Sequence, residues 1–113
     1  MTATELELLA CFGVEPERRD PTELWCHDDA QYQVEVDGLF VSFAVAPIYP
    51  DVRIIVKLGG RRIFELNSTG VADVRVIDEP GVDAVEVILT AQSTLRLQLR
   101  PAFEITQHFD SRE

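Results

Sequence analysis

From Gln31 onward, apolar and polar residues alternate along the chain with a period of two, which is typical of half-buried β-strands. The clearest unit is centred on Asp37-Gly38, a dipeptide suited to a type I′ turn because both positions tolerate a positive φ. A slip of one residue would destroy the apolar match between the flanking strands, so turn and register together predict a hairpin. The predicted pairs are Val36 with Leu39, Val34 with Val41, and Tyr32 with Phe43.

A second hairpin is predicted around Gly59-Gly60, between the segments 52–58 and 62–66. A two-residue turn at the glycines would place Ile54 opposite Glu65 and mix polarity on one face. We favour a three-residue loop from Gly59 to Arg61, because correct pairing of a buried face outweighs a small difference between loop types. This loop pairs Val56 with Phe64, and Ile54 with Leu66.

The C-terminal half predicts a meander of strands with one apolar and one polar face. The polar face is expected to face solvent, with a cross-strand ion pair between Arg75 and Glu86. The predicted apolar pairs of the first two strands are Ala72 with Leu89, Val74 with Val87, and Val76 with Val85. The predicted pairs of the second and third strands are Leu89 with Leu95, Val87 with Leu97, and Val85 with Leu99. The remaining polar positions are Arg96, Gln98 and Arg100, and a last strand runs through Phe103, Ile105 and Gln107.

The first thirty residues lack this alternation and predict a helix at the start of the chain. Thr2 and Glu5 have the spacing of a capping box, and Gly13 is a natural C-cap. The apolar face of this helix would be formed by Leu6, Leu9 and Ala10.

A second, shorter helix is predicted to begin at Asp20, with Pro21 at its first position and Glu23 as the capping acid. Its buried side chains would be Leu24 and Trp25. It would end before Asp28-Asp29, because carboxylates oppose the negative end of a helix dipole.

These elements predict a mainly β fold: an antiparallel β-sandwich or partly closed barrel of seven or eight short strands, preceded by one or two short helices. A length of 113 residues fits a single domain. Within it, 1–30 would be a helical segment packed on the sheet, 31–109 the antiparallel core, and 110–113 a frayed tail.

The formal net charge of −10 argues against nucleic acid or an anionic membrane as a partner, because both require a positive surface. The charge is uneven: eight acids in residues 1–30 face only Arg18 and Arg19, which leaves six net negatives there. No secretory signal or membrane span is recognisable. We therefore expect a cytoplasmic protein in which Cys11 and Cys26 are reduced thiols. The near-exclusive use of arginine over lysine fits a GC-rich, bacterial genome.

Candidate chemistry is sparse, and we predict no cofactor. The run Cys26-His27-Asp28-Asp29 contains metal-ligating residue types, but adjacent ligands diverge and would need distant partners, so we predict no metal site. No nucleophile motif accompanies the histidines, so the sequence favours a non-enzymatic protein over an enzyme. Arg61 and Arg62 at a hairpin tip form a weak candidate for anion contact, although exposed loop arginines more often serve solubility.

The features that remain favour a protein-binding module, such as an inhibitor, an immunity-type protein or an adaptor that docks on a basic partner protein. The alternatives are a small-molecule-binding sandwich or barrel, with a pocket among Trp25, Tyr32, Phe43 and Phe64 and weak enzymatic activity, or a structural subunit of a larger assembly. Monomer and homodimer both stay open. The candidate partner-binding residues are Glu15, Glu17, Asp20, Glu23, Asp28 and Asp29, with Ile48 and Tyr49 in the proline-flanked loop 46–51.

Overall fold

A computed structural model of the chain describes residues 1–110, which form two antiparallel sheets and one α-helix. The first sheet has the order β1-β2-β3-β4-β5 and the second has the order β6-β7-β8-β9. The helix is α1 (Glu5–Phe12), and a 3-10 turn spans Trp25–His27. The strands are β1 (Glu17–Arg18), β2 (Ala30–Val36), β3 (Leu39–Ala46), β4 (Asp51–Leu58), β5 (Arg61–Ser68), β6 (Asp73–Val76), β7 (Asp83–Thr90), β8 (Ser93–Arg100) and β9 (Glu104–Phe109).

The two sheets enclose one apolar core, and the prediction of a mainly antiparallel β-sandwich is confirmed. Every second side chain of the central strands points into this core, as a period of two requires. The sheets are not closed into a barrel. Nine strands are present within residues 1–110, one more than the upper prediction, because the short β1 lies in a segment predicted to be helical. Core residues come from both sheets: Val41, Phe43, Ile54 and Val56 from the first, and Val74, Val85, Val87, Leu95 and Leu97 from the second.

The hairpin at Asp37-Gly38 forms in the predicted register. Asp37 and Gly38 have φ values of 52° and 78°, the left-handed conformation that a type I′ turn requires. The three predicted apolar pairs lie opposite each other across β2 and β3. Turn chemistry and side-chain pattern therefore act together at this position.

The hairpin between β4 and β5 has the predicted apolar pairs but a different turn. Val56 lies opposite Phe64, while Leu58 pairs directly with Arg61, so the connection is the two-residue turn Gly59-Gly60. A bulge at Ile63 absorbs the extra residue. The predicted three-residue loop is wrong because a bulge inside the strand restores the same register.

The meander forms, but one of its registers differs from the prediction by two residues. Val74 lies opposite Val87 as predicted, whereas Val87 lies opposite Leu95 and not Leu97. A slip of two residues leaves every side chain on the same face, so the hydrophobic pattern does not distinguish the two registers. Gln98, predicted to face solvent, is buried, and its side-chain amide donates to the carbonyl of Ala102 at 3.0 Å.

Helix α1 begins at a capping box made by Thr4 and Glu7, two residues later than predicted. Thr2 lies outside the helix, and its hydroxyl and N–H both donate to the carboxylate of Asp73. Gly13 ends the helix with a φ of 72°, and its N–H donates to the carbonyl of Leu9.

The buried face of α1 is not the one predicted from its sequence. Leu8, Cys11 and Phe12 are buried, whereas Leu6 is 76% exposed. The ring of Phe12 stacks on Tyr32 and Phe43 with centroid distances of 5.1 and 5.2 Å. The space next to these two aromatic residues is therefore filled by the helix, contrary to the alternative that they line a ligand pocket.

Residues 19–29 form turns in place of the predicted second helix, apart from the 3-10 turn at Trp25–His27. Pro21 and Glu23 lie in turns, and Leu24, predicted to be buried, is exposed. At the other terminus, the N–H of Asp110 donates to the carbonyl of Gln92 at 2.7 Å. The rest of the predicted tail, 111–113, lies outside the described residues.

We expect Phe12→Ala to lower the free energy of unfolding by about 3–5 kcal/mol, because it removes a buried ring that joins α1 to the core. Urea denaturation at constant temperature measures this change. Leu6→Ala in the same helix is the matched control and should change the stability by less than about 0.5 kcal/mol. Equal effects of the two substitutions would show that the stacked ring does not anchor the helix.

Candidate functional site

A groove of about 240 Å³ opens at the end of the sandwich where the β1–β2 connection meets the β3–β4 loop. The first segment contributes Asp20, Glu23 and Asp29 to its lining, and the second contributes Ile48 and Tyr49. Tertiary folding thus brings together two stretches that the sequence analysis proposed separately. We refer to this feature, whose lining also includes Arg19, His27, Asp28 and Ala46, as the acidic groove.

Arg18 holds the first segment of the acidic groove in place. Its Nε donates to Asp28 Oδ2 at 2.8 Å, and its Nη2 donates to the carbonyl of Glu23 at 2.5 Å. The backbone N–H of Asp20 donates to the same carboxylate oxygen at 3.0 Å. The beginning, middle and end of the segment therefore converge on one buried ion pair.

Asp28 lines the acidic groove but is only 7% exposed, because its carboxylate is engaged within the chain. Both of its carboxylate oxygens accept hydrogen bonds from within the chain. Burial alone would raise the pKa of Asp28, but the hydrogen bonds from the Asp20 amide and the Arg18 guanidinium outweigh it. The pKa of Asp28 consequently lies below its ordinary value, and the residue acts as an internal anchor.

Trp25 fixes the same segment to the core. Its indole Nε1–H donates to the hydroxyl oxygen of Tyr32 at 3.2 Å, and Tyr32 itself is fully buried against Phe12. Burial raises the pKa of Tyr32, and the hydrogen bond from Trp25 partly offsets this effect. The segment that carries the exposed acids is thus attached to the best-packed part of the molecule.

Three of the four carboxylates that line the acidic groove, those of Asp20, Glu23 and Asp29, stay exposed. Asp20 Oδ1 accepts from the N–H and hydroxyl of Thr22, which shapes the local turn. Glu23 Oε1 accepts from the N–H of Leu24. Asp29 faces Arg19 at 3.5 Å in an exposed ion pair. The other carboxylate oxygens, Asp20 Oδ2 and Glu23 Oε2, accept no hydrogen bond from within residues 1–110.

Ile48 and Tyr49 form the apolar side of the acidic groove and are 58% and 71% exposed. The flanking Pro47 and Pro50 restrict the loop, and the N–H of Tyr49 donates to the carbonyl of Ala46 at 3.2 Å. The Tyr49 side chain does not fold back over the end of the sandwich. A stiff loop with an exposed aromatic ring is a common feature of protein contact surfaces.

A second concavity, of about 470 Å³, crosses the adjoining end of the five-stranded sheet. It shares Arg19 and Asp29 with the acidic groove, and Glu17 lies at its edge. Its lining includes Arg53, whose Nε donates to Asn67 Oδ1 at 3.1 Å. Sequence reasoning missed Arg18, Arg19 and Arg53, although two arginines among eight acids were the natural place to seek internal ion pairs.

The remaining predicted site residues lie elsewhere. Glu15 is exposed but lines neither of these concavities. Arg61 and Arg62 lie at the β4–β5 turn, at the opposite end of the strands from the acidic groove. Both arginines are exposed, and Arg62 forms an ion pair with Glu65 at 2.7 Å.

No group of three or more His, Cys, Asp or Glu side chains in residues 1–110 is arranged to hold a metal ion. Cys26 and His27 are exposed in the 3-10 turn, while Cys11 lies on the buried face of α1. Over the same range, no helix has the length and apolarity needed to cross a membrane.

A solved structure with a similar fold was found by comparison. It is a chain of the "Contact-dependent growth inhibition toxin - immunity protein complex from Klebsiella pneumoniae 342". The similarity has a TM-score of 0.73 at 21% sequence identity, and it covers 94% of this chain and 93% of that chain. No protein-family model and no curated protein sequence matches the chain.

The extent of this similarity shows that the whole sandwich, and not a single hairpin or sheet, is common to the two chains. At 21% identity the shared property is the fold.

We expect Asp28→Asn to lower the free energy of unfolding near neutral pH. The decrease in this free energy on acidification should also be smaller in the variant. Because its pKa is lowered by folding, the carboxylate stabilises the fold above its unfolded pKa of about 3.9. This contribution is lost as the pH falls through the folded pKa. The free energy of unfolding, measured by urea between about pH 6 and about pH 2, should thus change less in D28N than in the wild type.

The control for this experiment is Asp29→Asn, which removes an exposed carboxylate next in sequence. D29N should keep the acid dependence of the wild type. If D28N keeps it as well, Asp28 does not anchor the segment through its charge.

The two thiols should differ sharply in reactivity. Burial raises the pKa of Cys11 to about 12, with the charge of Asp83 adding to this effect and Arg100 opposing it. Since the thiolate is the reactive species, we expect a disulfide reagent to modify Cys26 rapidly and Cys11 only after unfolding. Absorbance of the released thiol, in the wild type and in Cys26→Ser, measures both rates. Rapid labelling of native C26S would contradict the described burial of Cys11.

Proposed function

We propose that this chain is an immunity-type protein that binds a toxin protein and inhibits it. The observation that carries the proposal is the acidic groove, where exposed carboxylates lie beside an exposed, proline-restricted aromatic loop. Surfaces with a central aromatic residue and a polar surround are typical of protein interfaces. The fold shared with a chain of a toxin–immunity complex supports the same class of function.

The proposed partner is basic on the surface that it presents. The net charge of −10 would attract such a partner over distance and speed its association, and added salt would screen the effect. The same charge disfavours nucleic acid and anionic lipid as ligands. We place the encounter in the cytoplasm, consistent with the free thiols Cys11 and Cys26.

The test begins with the tagged full-length chain used as bait in an extract of its source cells at low ionic strength. Retained proteins are identified by mass spectrometry, and each is then expressed alone and together with this chain. We expect a retained protein to arrest growth when expressed alone, and co-expression of this chain to restore growth. Added salt should slow association measured by surface plasmon resonance.

A retained partner that does not arrest growth, or whose toxicity this chain leaves unchanged, would contradict the proposal. Substituting both Ile48 and Tyr49 with serine should abolish the rescue. The matched control is the same substitution at Leu58 and Ile63, two exposed apolar residues at the other end of the sheet. Rescue lost only in the control would place the interface elsewhere.

A further inference from the structure

We propose that the acidic groove binds a guanidinium group, and that an arginine side chain of the partner occupies it against Tyr49 and the carboxylates of Asp20 and Glu23. This inference rests on the proposed function, because it specifies the chemistry by which the partner is recognised. It commits to arginine and therefore makes a stronger claim than attraction between opposite net charges.

The first step concerns hydrogen-bonding capacity. Asp20 uses Oδ1 for Thr22, and Glu23 uses Oε1 for Leu24, so Asp20 Oδ2 and Glu23 Oε2 have no hydrogen-bond partner within residues 1–110. The bonds to Thr22 and Leu24 restrict both side chains. Two restricted carboxylates, each with an oxygen available, suit a ligand with several N–H donors in a plane.

The second step concerns the apolar side of the acidic groove. Tyr49 exposes most of its ring on a loop that Pro47 and Pro50 restrict. A guanidinium stacks on an aromatic face and is weakly hydrated, whereas an ammonium is compact and strongly hydrated. A ring on one segment and carboxylates on the other therefore favour arginine over lysine.

The third step is that the chain already places a guanidinium of its own at this site. Arg19 faces Asp29 at 3.5 Å, with side chains that are 81% and 53% exposed. Such an exposed pair is weak and readily exchanged. Because Arg19 lines the acidic groove, its positive charge opposes the entry of a second guanidinium, and its removal should strengthen binding.

The experiment uses an acetylated, amidated tri-arginine peptide as the probe, with tri-citrulline and tri-lysine peptides of the same length for comparison. Each is titrated into the full-length ¹⁵N-labelled chain at low salt, and amide chemical shifts are followed. We expect tri-arginine to shift amides of residues 19–29 and 46–49 and to bind more tightly than tri-lysine. Tri-citrulline, which keeps the shape without the charge, should not bind.

The variants separate a specific site from general attraction. D20N/E23Q keeps the oxygens that accept from Thr22 and Leu24, and should weaken tri-arginine binding by about fivefold. D78N/E104Q makes the same change in net charge at exposed positions and should have little effect. R19Q should tighten binding, while R61Q, its charge-matched control, should not.

Equal weakening by the two acidic double variants, equal binding of tri-arginine and tri-lysine, or no gain from R19Q relative to R61Q would overturn the inference. These outcomes leave the proposed function standing if growth rescue is observed. Failure of rescue with an intact response to tri-arginine would instead reject the proposed function. Dispersed spectra of each variant establish that it is folded.

Discussion

The stacking of Phe12 on Tyr32 and Phe43 is the contact on which the arrangement of the N-terminal third depends. It joins a short helix to the inner face of the five-stranded sheet, and α1 also packs against strands of the second sheet. An eight-residue helix is not stable by itself, so this burial supplies what its propensity lacks. Through Tyr32, the same stack also anchors Trp25 and the segment that lines the acidic groove.

Internal ion pairing then decides which of the many acids are available to a partner. Arg18 and the backbone of Asp20 bind Asp28 and withdraw it from the surface, whereas Glu23 and Asp29 remain exposed. A buried carboxylate that accepts hydrogen bonds from a guanidinium and a backbone amide fixes the geometry of the segment. Because its charge is neutralised there, it contributes little to the electrostatic potential outside the protein. Fewer acids are therefore available for recognition than the sequence contains, while the net charge is unchanged because Arg18 neutralises Asp28.

Sequence reasoning succeeded where two local signals agreed and failed where a second solution satisfied the same pattern. At Asp37-Gly38, turn chemistry and apolar alternation each required one register. At Gly59-Gly60 a bulge at Ile63 gave the predicted apolar pairs with another turn. Between β7 and β8, a shift of two residues kept all faces unchanged, so alternation alone could not detect it.

The sequence by itself determined the mainly antiparallel β class, most strand partners, the acidic N-terminal third and the stiff loop that carries Ile48 and Tyr49, but it left open whether the sheets form a sandwich or a partly closed barrel. Only the tertiary structure decided which face of α1 is buried, that Asp28 is internal, and that residues 20–29 meet residues 46–49 to form the acidic groove. The physical reason is the separation along the sequence over which each interaction acts. Periodicity and turn chemistry act between near neighbours, whereas burial and ion pairing depend on which distant segments the two sheets bring into contact.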